Sequence, residues 1–200
     1  MVWRRVLVPS ICTLHELHGV IQVAMGREGI HLYQFCLRAA RYGSWELLAS
    51  SPDTTLAALR LRKGGRFTYE YDLNISWRHE VRLENQLGPE AGKTYPVCTG
   101  GGGACPPEDC DGPAGFMAGR NGALSLDALD GLDTMTEIIG QAVLERRTEL
   151  LQDEDTRWRL EQAVERSKAR ESAQGCSFSR RTVNARFRKG EHLDPMHQQC

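Results

Sequence analysis

Nowhere in the 200 residues does an apolar run approach the ~18 residues that a membrane-spanning helix needs, so none is expected. The opening residues Met1-Val2-Trp3-Arg4-Arg5 carry no signal-peptide pattern. Seven cysteines make an odd number, which in such a chain predicts reduced thiols in an intracellular, cytoplasmic protein. Net charge is nearly absent: a formal −1 and an isoelectric point near 6.6 argue against a uniformly basic nucleic-acid binder. The run Gly100 to Gly103 lacks the spacing and the Gly-Lys-Ser/Thr of a phosphate loop, and no dinucleotide fingerprint occurs elsewhere. Nor is there a Gly-x-Ser-x-Gly elbow or a His-Glu-x-x-His pair, so the common hydrolase and metalloprotease signatures are missing.

What is present begins with charge placement. Residues 1–99 hold 12 basic against 9 acidic side chains, residues 100–156 hold 3 against 12, and residues 157–189 hold 10 against 3. Such asymmetry can steer the basic end towards an anionic partner or towards the acidic middle, although solvated charged helices give the same pattern. Hydrophobic residues make up 40% of the chain, slightly lean but enough for a core in one domain with an appended helical segment.

The clearest periodicity lies between Arg66 and Glu84. Phe67, Tyr69 and Tyr71 alternate with Thr68, Glu70 and Asp72, and Trp77, His79, Val81 and Leu83 alternate with Arg78, Glu80, Arg82 and Glu84. Two period-two runs broken by Leu73-Asn74-Ile75 predict an antiparallel hairpin with its aromatic face inward, Asn74 supplying the left-handed turn residue. Before it, Trp3 to Val8 reads as a short strand. Thr13 with Glu16 forms a capping box for a helix whose apolar stripe is Leu14, Leu17, Val20, Ile21 and Ala24, stopped at Gly26 or Gly29. His15 and His18 then fall on or beside the polar flank. His31 to Leu37 and Arg41 to Leu47, with Trp45, are further strand candidates, and Pro52 to Thr55 a turn or helix cap. Six glycines and three prolines between Cys98 and Phe116 predict neither helix nor regular strand. Helices are expected over 124–132, 135–151 and 155–173, ended by Gly175, and Phe178, Val183 and Phe187 mark a short basic terminal element.

Three constellations could carry chemistry. Cys98, Cys105 and Cys110, with His79 as a fourth ligand, could hold a zinc ion, although buried or loop thiols give the same spacing. Asp72, His79 and Glu84 are the candidate acid–base group, against which stands the opposite facing of Asp72 and His79; a hydrogen-bonded core-edge histidine is the plainer reading of His79. Arg180, Arg181, Arg186, Arg188 and Lys189 could touch phosphates, but without helix-turn-helix spacing.

The ordered segments VWRRVLVP, TLHELHGVIQVAMG, HLYQF, FTYEYD, WRHEVRLE and YPVCTGGGGACPPEDCDGPAGF resemble the plasmid pRiA4b open-reading-frame-three-like family over most of residues 2–116. TVNARF at Thr182 to Phe187 is similar to that family's closing Val-Asn motif. The resemblance implies a compact α+β domain of essentially uncharacterised function. Some members carry a transposon-resolvase label, for which no serine or tyrosine recombinase pattern is visible here. The family-like positions are Trp3, Arg4, Arg5, Leu17, His18, His31, Tyr71, Asp72, Trp77, His79, Glu84, Pro106, Pro107, Glu108 and Asp109. Family members usually carry a β segment before the Trp-Arg-Arg motif, so an exposed or partner-pairing sheet edge is expected here. Their hairpin turn commonly reads Asp-Phe-Gly-Asp where this chain has Asp72-Leu73-Asn74-Ile75, which removes a carboxylate. Asp111 stands where a second loop glycine is common.

The expectation is therefore an α+β fold, a mixed or antiparallel sheet packed against the Thr13 helix. Residues 1–120 form the core and residues 121–200 a helical extension packed on it. The expected role is that of an intracellular interaction or accessory protein, linked by resemblance to mobile elements and presenting an exposed patch around Tyr71, Trp77 and His79. The alternatives are a metal-dependent enzyme and a DNA-binding protein.

Overall fold

The computed structural model describes residues 1–44, 51–108, 110–123, 126–174 and 177–193. Trp45 and residues 46 and 47 of the expected third strand, Asp109, Leu124 and the helix-ending Gly175 lie outside them. The chain gathers into two compact units, one of Met1–Cys105 with Ser177–Cys200 and the other of Pro106–Cys176.

The first unit is α+β. Strand β1 (Trp3–Leu7) leads into helix α1 (Leu14–Met25), followed by β2 (Tyr33–Leu37), β3 (Ala40–Gly43), β4 (Arg66–Tyr71), β5 (Trp77–Arg82) and β6 (Val97–Gly102). Strands β3-β2-β4-β5, in that order, form an antiparallel sheet, and β1 pairs antiparallel with β6 in a second, two-stranded one. The hairpin register is as the alternation demands, Tyr69 opposite His79 and Tyr71 opposite Trp77.

Its turn is built differently from expectation. The left-handed residues are Asp72 (φ 54°) and Ser76 (φ 51°), not Asn74. Asp72 earns that conformation with bonds at both ends: its carboxylate accepts from the Asn74 N–H at 3.2 Å, and its carbonyl accepts from the Ser76 N–H at 2.6 Å.

Helix α1 starts on the capping box, Thr13 Oγ1 accepting from the Glu16 N–H (3.0 Å) and Glu16 Oε2 from the Thr13 N–H (2.8 Å). Its next free donors, the N–H groups of Leu14 and His15, are taken by the carbonyls of Thr54 and Pro52, which gives the turn at 52–55 its purpose. At the other end Gly26 is left-handed (φ 83°), and the N–H groups of Gly26 and Arg27 return to the Val23 and Gln22 carbonyls. This end motif folds Arg27 back into the protein.

One stripe of α1 (Val20, Val23 and Ala24) packs with Cys98, Val183 and Phe187. The last two belong to α5 (Arg180–Arg188), the basic terminal element. The Val-Asn motif is thereby explained. Val183 enters the core, while Asn184 grips β6 like a neighbouring strand, its Oδ1 accepting from the Cys98 N–H (2.7 Å) and its Nδ2 donating to the Cys98 carbonyl (2.9 Å).

The glycine run is not irregular, as its composition suggests: Gly100, Gly101 and Gly102 form the second half of strand β6. A Cβ at Gly101 would sit 2.5 Å from the Phe178 ring, so the missing side chain is what lets that ring lie on the strand. Arg4 closes the arrangement: its guanidinium donates to the carbonyls of Ala24, Gly102 and Gly103 and stacks 4.3 Å from the Phe178 ring centre.

The second unit is helical: α2 (Gly112–Ala123), α3 (Leu126–Ile139), a π-turn at Gly140–Leu144, a 3₁₀ turn at Thr148–Gln152 and α4 (Glu154–Gln174). Helix α4 packs on both α2 and α3, Gly131 lying against the backbone of Ala163. Composition alone places a boundary at 120; the contacts gather 106–176 and return the terminal element to the first unit.

Candidate functional site

The second stripe of α1 is polar. His18 and Gln22, one turn apart, are 3% exposed, so His18 does not lie on the polar flank as expected, while Ile21 of the expected apolar stripe is only half-buried. They face the aromatic side of the sheet. Gln22 Nε2 donates to the Tyr69 hydroxyl (2.5 Å), which meets His18 Nδ1 at 2.7 Å, and the His18 ring stacks on Tyr33 at 3.8 Å. Since burial pushes the His18 pKa down to about 3, with the neighbouring His15 adding to the shift, the imidazole is neutral. The Tyr69 hydroxyl thereby links Gln22 and His18 in one buried chain of hydrogen bonds. Burial raises the Tyr69 phenol, so these bonded groups hold no charge at neutral pH.

Beside it sits Arg27, 3% exposed, delivered by the end motif of α1. Its guanidinium carbon lies 4.4 Å from the Trp77 ring centre and 5.4 Å from that of Tyr71. His79 completes this corner, its Nδ1–H donating to the Trp77 carbonyl (3.1 Å). Burial and then the charge of Arg27 hold its pKa down to about 4, overcoming the opposing pull of that hydrogen bond. Tyr71 and Trp77 are buried, so the exposed patch expected around Tyr71, Trp77 and His79 does not exist; the hairpin's aromatic face is core.

The candidate acid–base group is divided among separate partners. Asp72 is buried in the turn with His31 Nε2 3.7 Å away, and Glu84 pairs on the surface with Arg5 at 2.6 Å. His79 is bonded to the backbone of its own strand. The thiols are likewise dispersed. Cys98 is in the α1–α5 core with its Sγ towards the Gly100 carbonyl, and burial raises its pKa. Cys105 is buried, and the Cys110 thiol donates to the Pro107 carbonyl at 3.0 Å. Among the described residues no group of three His, Cys, Asp or Glu side chains could hold a metal ion, so the set His79, Cys98, Cys105 and Cys110 is not assembled as a zinc site. Of the basic cluster, Arg186 is held by Glu191 at 2.5 Å, while Arg180, Arg181, Arg188 and Lys189 are exposed. No helix among the described residues is long and apolar enough to cross a membrane.

Sequence reasoning missed Arg27, Gln22, Tyr33 and Tyr69 as a set. The available signal was two polar residues at i and i+4, His18 and Gln22, flanking the apolar stretch of the helix, followed by a basic residue directly after the terminating glycine.

The protein "Uncharacterized protein y4hQ" of Sinorhizobium fredii is 34% identical over 123 residues, 58% of this chain and 63% of the relative's length. The chain thus spans less than two thirds of that relative. A crystal structure of a protein of unknown function, MM3350 from Methanosarcina mazei Go1, superposes with a TM-score of 0.57 at 29% identity, covering 62% of this chain and 74% of the other. The model of one family, plasmid pRiA4b ORF-3-like protein, matches residues 1–127. That span holds both sheets, α1 and the whole polar cluster, and on that match the chain belongs to the plasmid pRiA4b ORF-3-like family.

Proposed function

We propose that the chain is a non-catalytic accessory module of the cytoplasm, working in the mobile-element setting its family description suggests. It acts by pairing the open edge of its four-stranded sheet with a protein strand, from a partner or a second copy. The observation that carries this reading is the position of β5. Among the described residues its one sheet neighbour is β4, and Arg78, Glu80 and Arg82 stand exposed along it. An edge strand offers a row of backbone donors and acceptors, and alternating charges restrict which strand can pair with it. Cys12, Cys36, Cys98 and Cys105 are free thiols, which supports a reducing compartment. Acid–base chemistry at the hairpin is disfavoured because His18 and His79 are neutral and already bonded within the core.

Sedimentation across a concentration series, with hydrogen exchange of the backbone amides of 77–82, tests the reading. Association accompanied by slowed exchange in β5 supports it; a monomer at every concentration, with β5 amides unchanged by any partner, sinks it.

One observation favours a second reading. Arg180, Arg181, Arg188 and Lys189 remain exposed on and just after α5, able to meet phosphates. Duplex DNA binding that weakens steeply with salt supports it, and absent or salt-insensitive binding removes it.

A further inference from the structure

Among the described residues of the first unit, the buried cation Arg27 meets no counter-charge. Arg27 forms no ion pair among the described residues, and the one buried carboxylate among them, Asp72, is engaged by the Asn74 N–H and faces His31. Its Nε and Nη1 are buried without an acceptor, and the indole Nε1 of Trp77, which stacks on the same guanidinium, is a buried donor without an acceptor as well. A charged group sealed from water in this way is costly unless something accepts its hydrogen bonds and balances its charge. The other polar groups of the cluster do not supply that balance, since His18, His79 and Tyr69 are neutral at pH 7.

We propose that this corner of the core is a binding site for a small monovalent anion, a halide or a formate-sized carboxylate, held by Arg27 and the Trp77 indole. Size is limited by the walls, because Tyr71 is fully buried, Trp77 is 8% exposed and Arg27 3%. Charge is limited to one because Arg27 is the one uncompensated cation among the described residues of the cluster; a dianion would leave a buried negative charge behind. Two aromatic rings lie against the guanidinium carbon, so the anion sits at the guanidinium edge. The remaining orphaned atom of the cluster, Gln22 Oε1, is an acceptor and takes no part in holding the anion.

The test is nitrogen–proton NMR of the full chain in sodium chloride, sodium formate and sodium gluconate at equal ionic strength. Gluconate is the control, being too large to enter. The Trp77 indole and Arg27 Nε–H resonances should move saturably in chloride and formate and stay still in gluconate. Trp77→Phe, which keeps a ring and deletes the donor, should bind about tenfold more weakly, as expected for one hydrogen bond to a charged group. Arg27→Met should abolish the midpoint advantage of chloride over gluconate in thermal unfolding. Resonances unmoved in all three salts would mean that buried water alone serves these groups and would overturn the proposal. So would the same chloride response in Arg27→Met. If that variant does not fold, the wild-type titration and Trp77→Phe decide.

Discussion

In the first unit an aromatic layer lies inside and is held by specific bonds. Tyr69, Tyr71 and Phe35 are at most 1% exposed, and the Tyr69 hydroxyl is bound by two side chains of α1. Among the residues of the second unit whose burial is described, the buried apolar ones are mostly small, Ala142 and Ala163 beside Ile138, while Val143, Leu144 and Trp158 are 67%, 83% and 59% exposed. One region is specified by shape and by hydrogen bonds between residues far apart in sequence, the other by helical period and the close approach of small residues. A substitution in the first should therefore be felt throughout that unit, whereas most substitutions in the second should be absorbed locally.

The largest break in this contrast should come from Phe35→Ala. Phe35 packs against Tyr69 with ring centres 4.8 Å apart and against Phe67 at 5.9 Å, and its loss should cost about 4 kcal/mol. Denaturant unfolding followed by near-ultraviolet circular dichroism reads it. A cost below about 1 kcal/mol would show that the aromatic layer is not what stabilises the sheet.

Acid comes next. His18 and His79 have folded pKa values of about 3 and about 4, below the ordinary 6.5, so between these values and 6.5 the unfolded chain binds more protons than the folded one. The stability they contribute is full above pH 6.5 and is lost as pH falls towards 4 and then 3. Urea midpoints between pH 7.5 and pH 4.5, settings chosen to bracket about 6.5, should fall with pH in the wild type and fall less in His79→Gln. Equal slopes would place the protonation elsewhere.

Asn184→Ala should follow, at about 2 kcal/mol, because it strands the N–H and the carbonyl of buried Cys98 at once. Asn184→Asp sharpens the point, since it keeps the acceptor but loses the amide donor. The Cys98 N–H should stay protected from hydrogen exchange in the aspartate variant and exchange faster in the alanine variant, and an alanine variant of unchanged stability would show that β6 needs no clamp.

Much of the fold was legible from the chain. Alternation located β4 and β5 to the residue on the inward face, and the Thr13–Glu16 box located α1, because both signals are local and each has one stable geometric solution. What was not legible depends on partners distant in sequence. A glycine run looks like a loop until Phe178, far down the chain, is known to lie on it; His18 looks like a flank residue until Tyr69 is known to bond it. The polar cluster escaped for the same reason. Arg27 follows a helix-ending glycine, where basic side chains are ordinarily solvent-facing, and nothing local says that Trp77 will cover it.

The smallest effect expected is also the one that sharpens the comparison most. Trp158 begins the second turn of α4 at 59% exposure, so removing a tryptophan, normally among the costliest deletions, should change stability by no more than about 0.5 kcal/mol in Trp158→Ala. The size of the side chain makes this a strong test. If the cost instead approached the 3 kcal/mol or so of a buried aromatic, Trp158 would have to be covered in solution, and the second unit would then be organised by a surface of its own rather than by helical period alone. Thermal unfolding of the variant beside Phe35→Ala, at one protein concentration and again at ten times that concentration, separates the two cases: a cost that is larger at the higher concentration and shrinks on dilution would mark a covering partner as a second copy, in the way mass action requires.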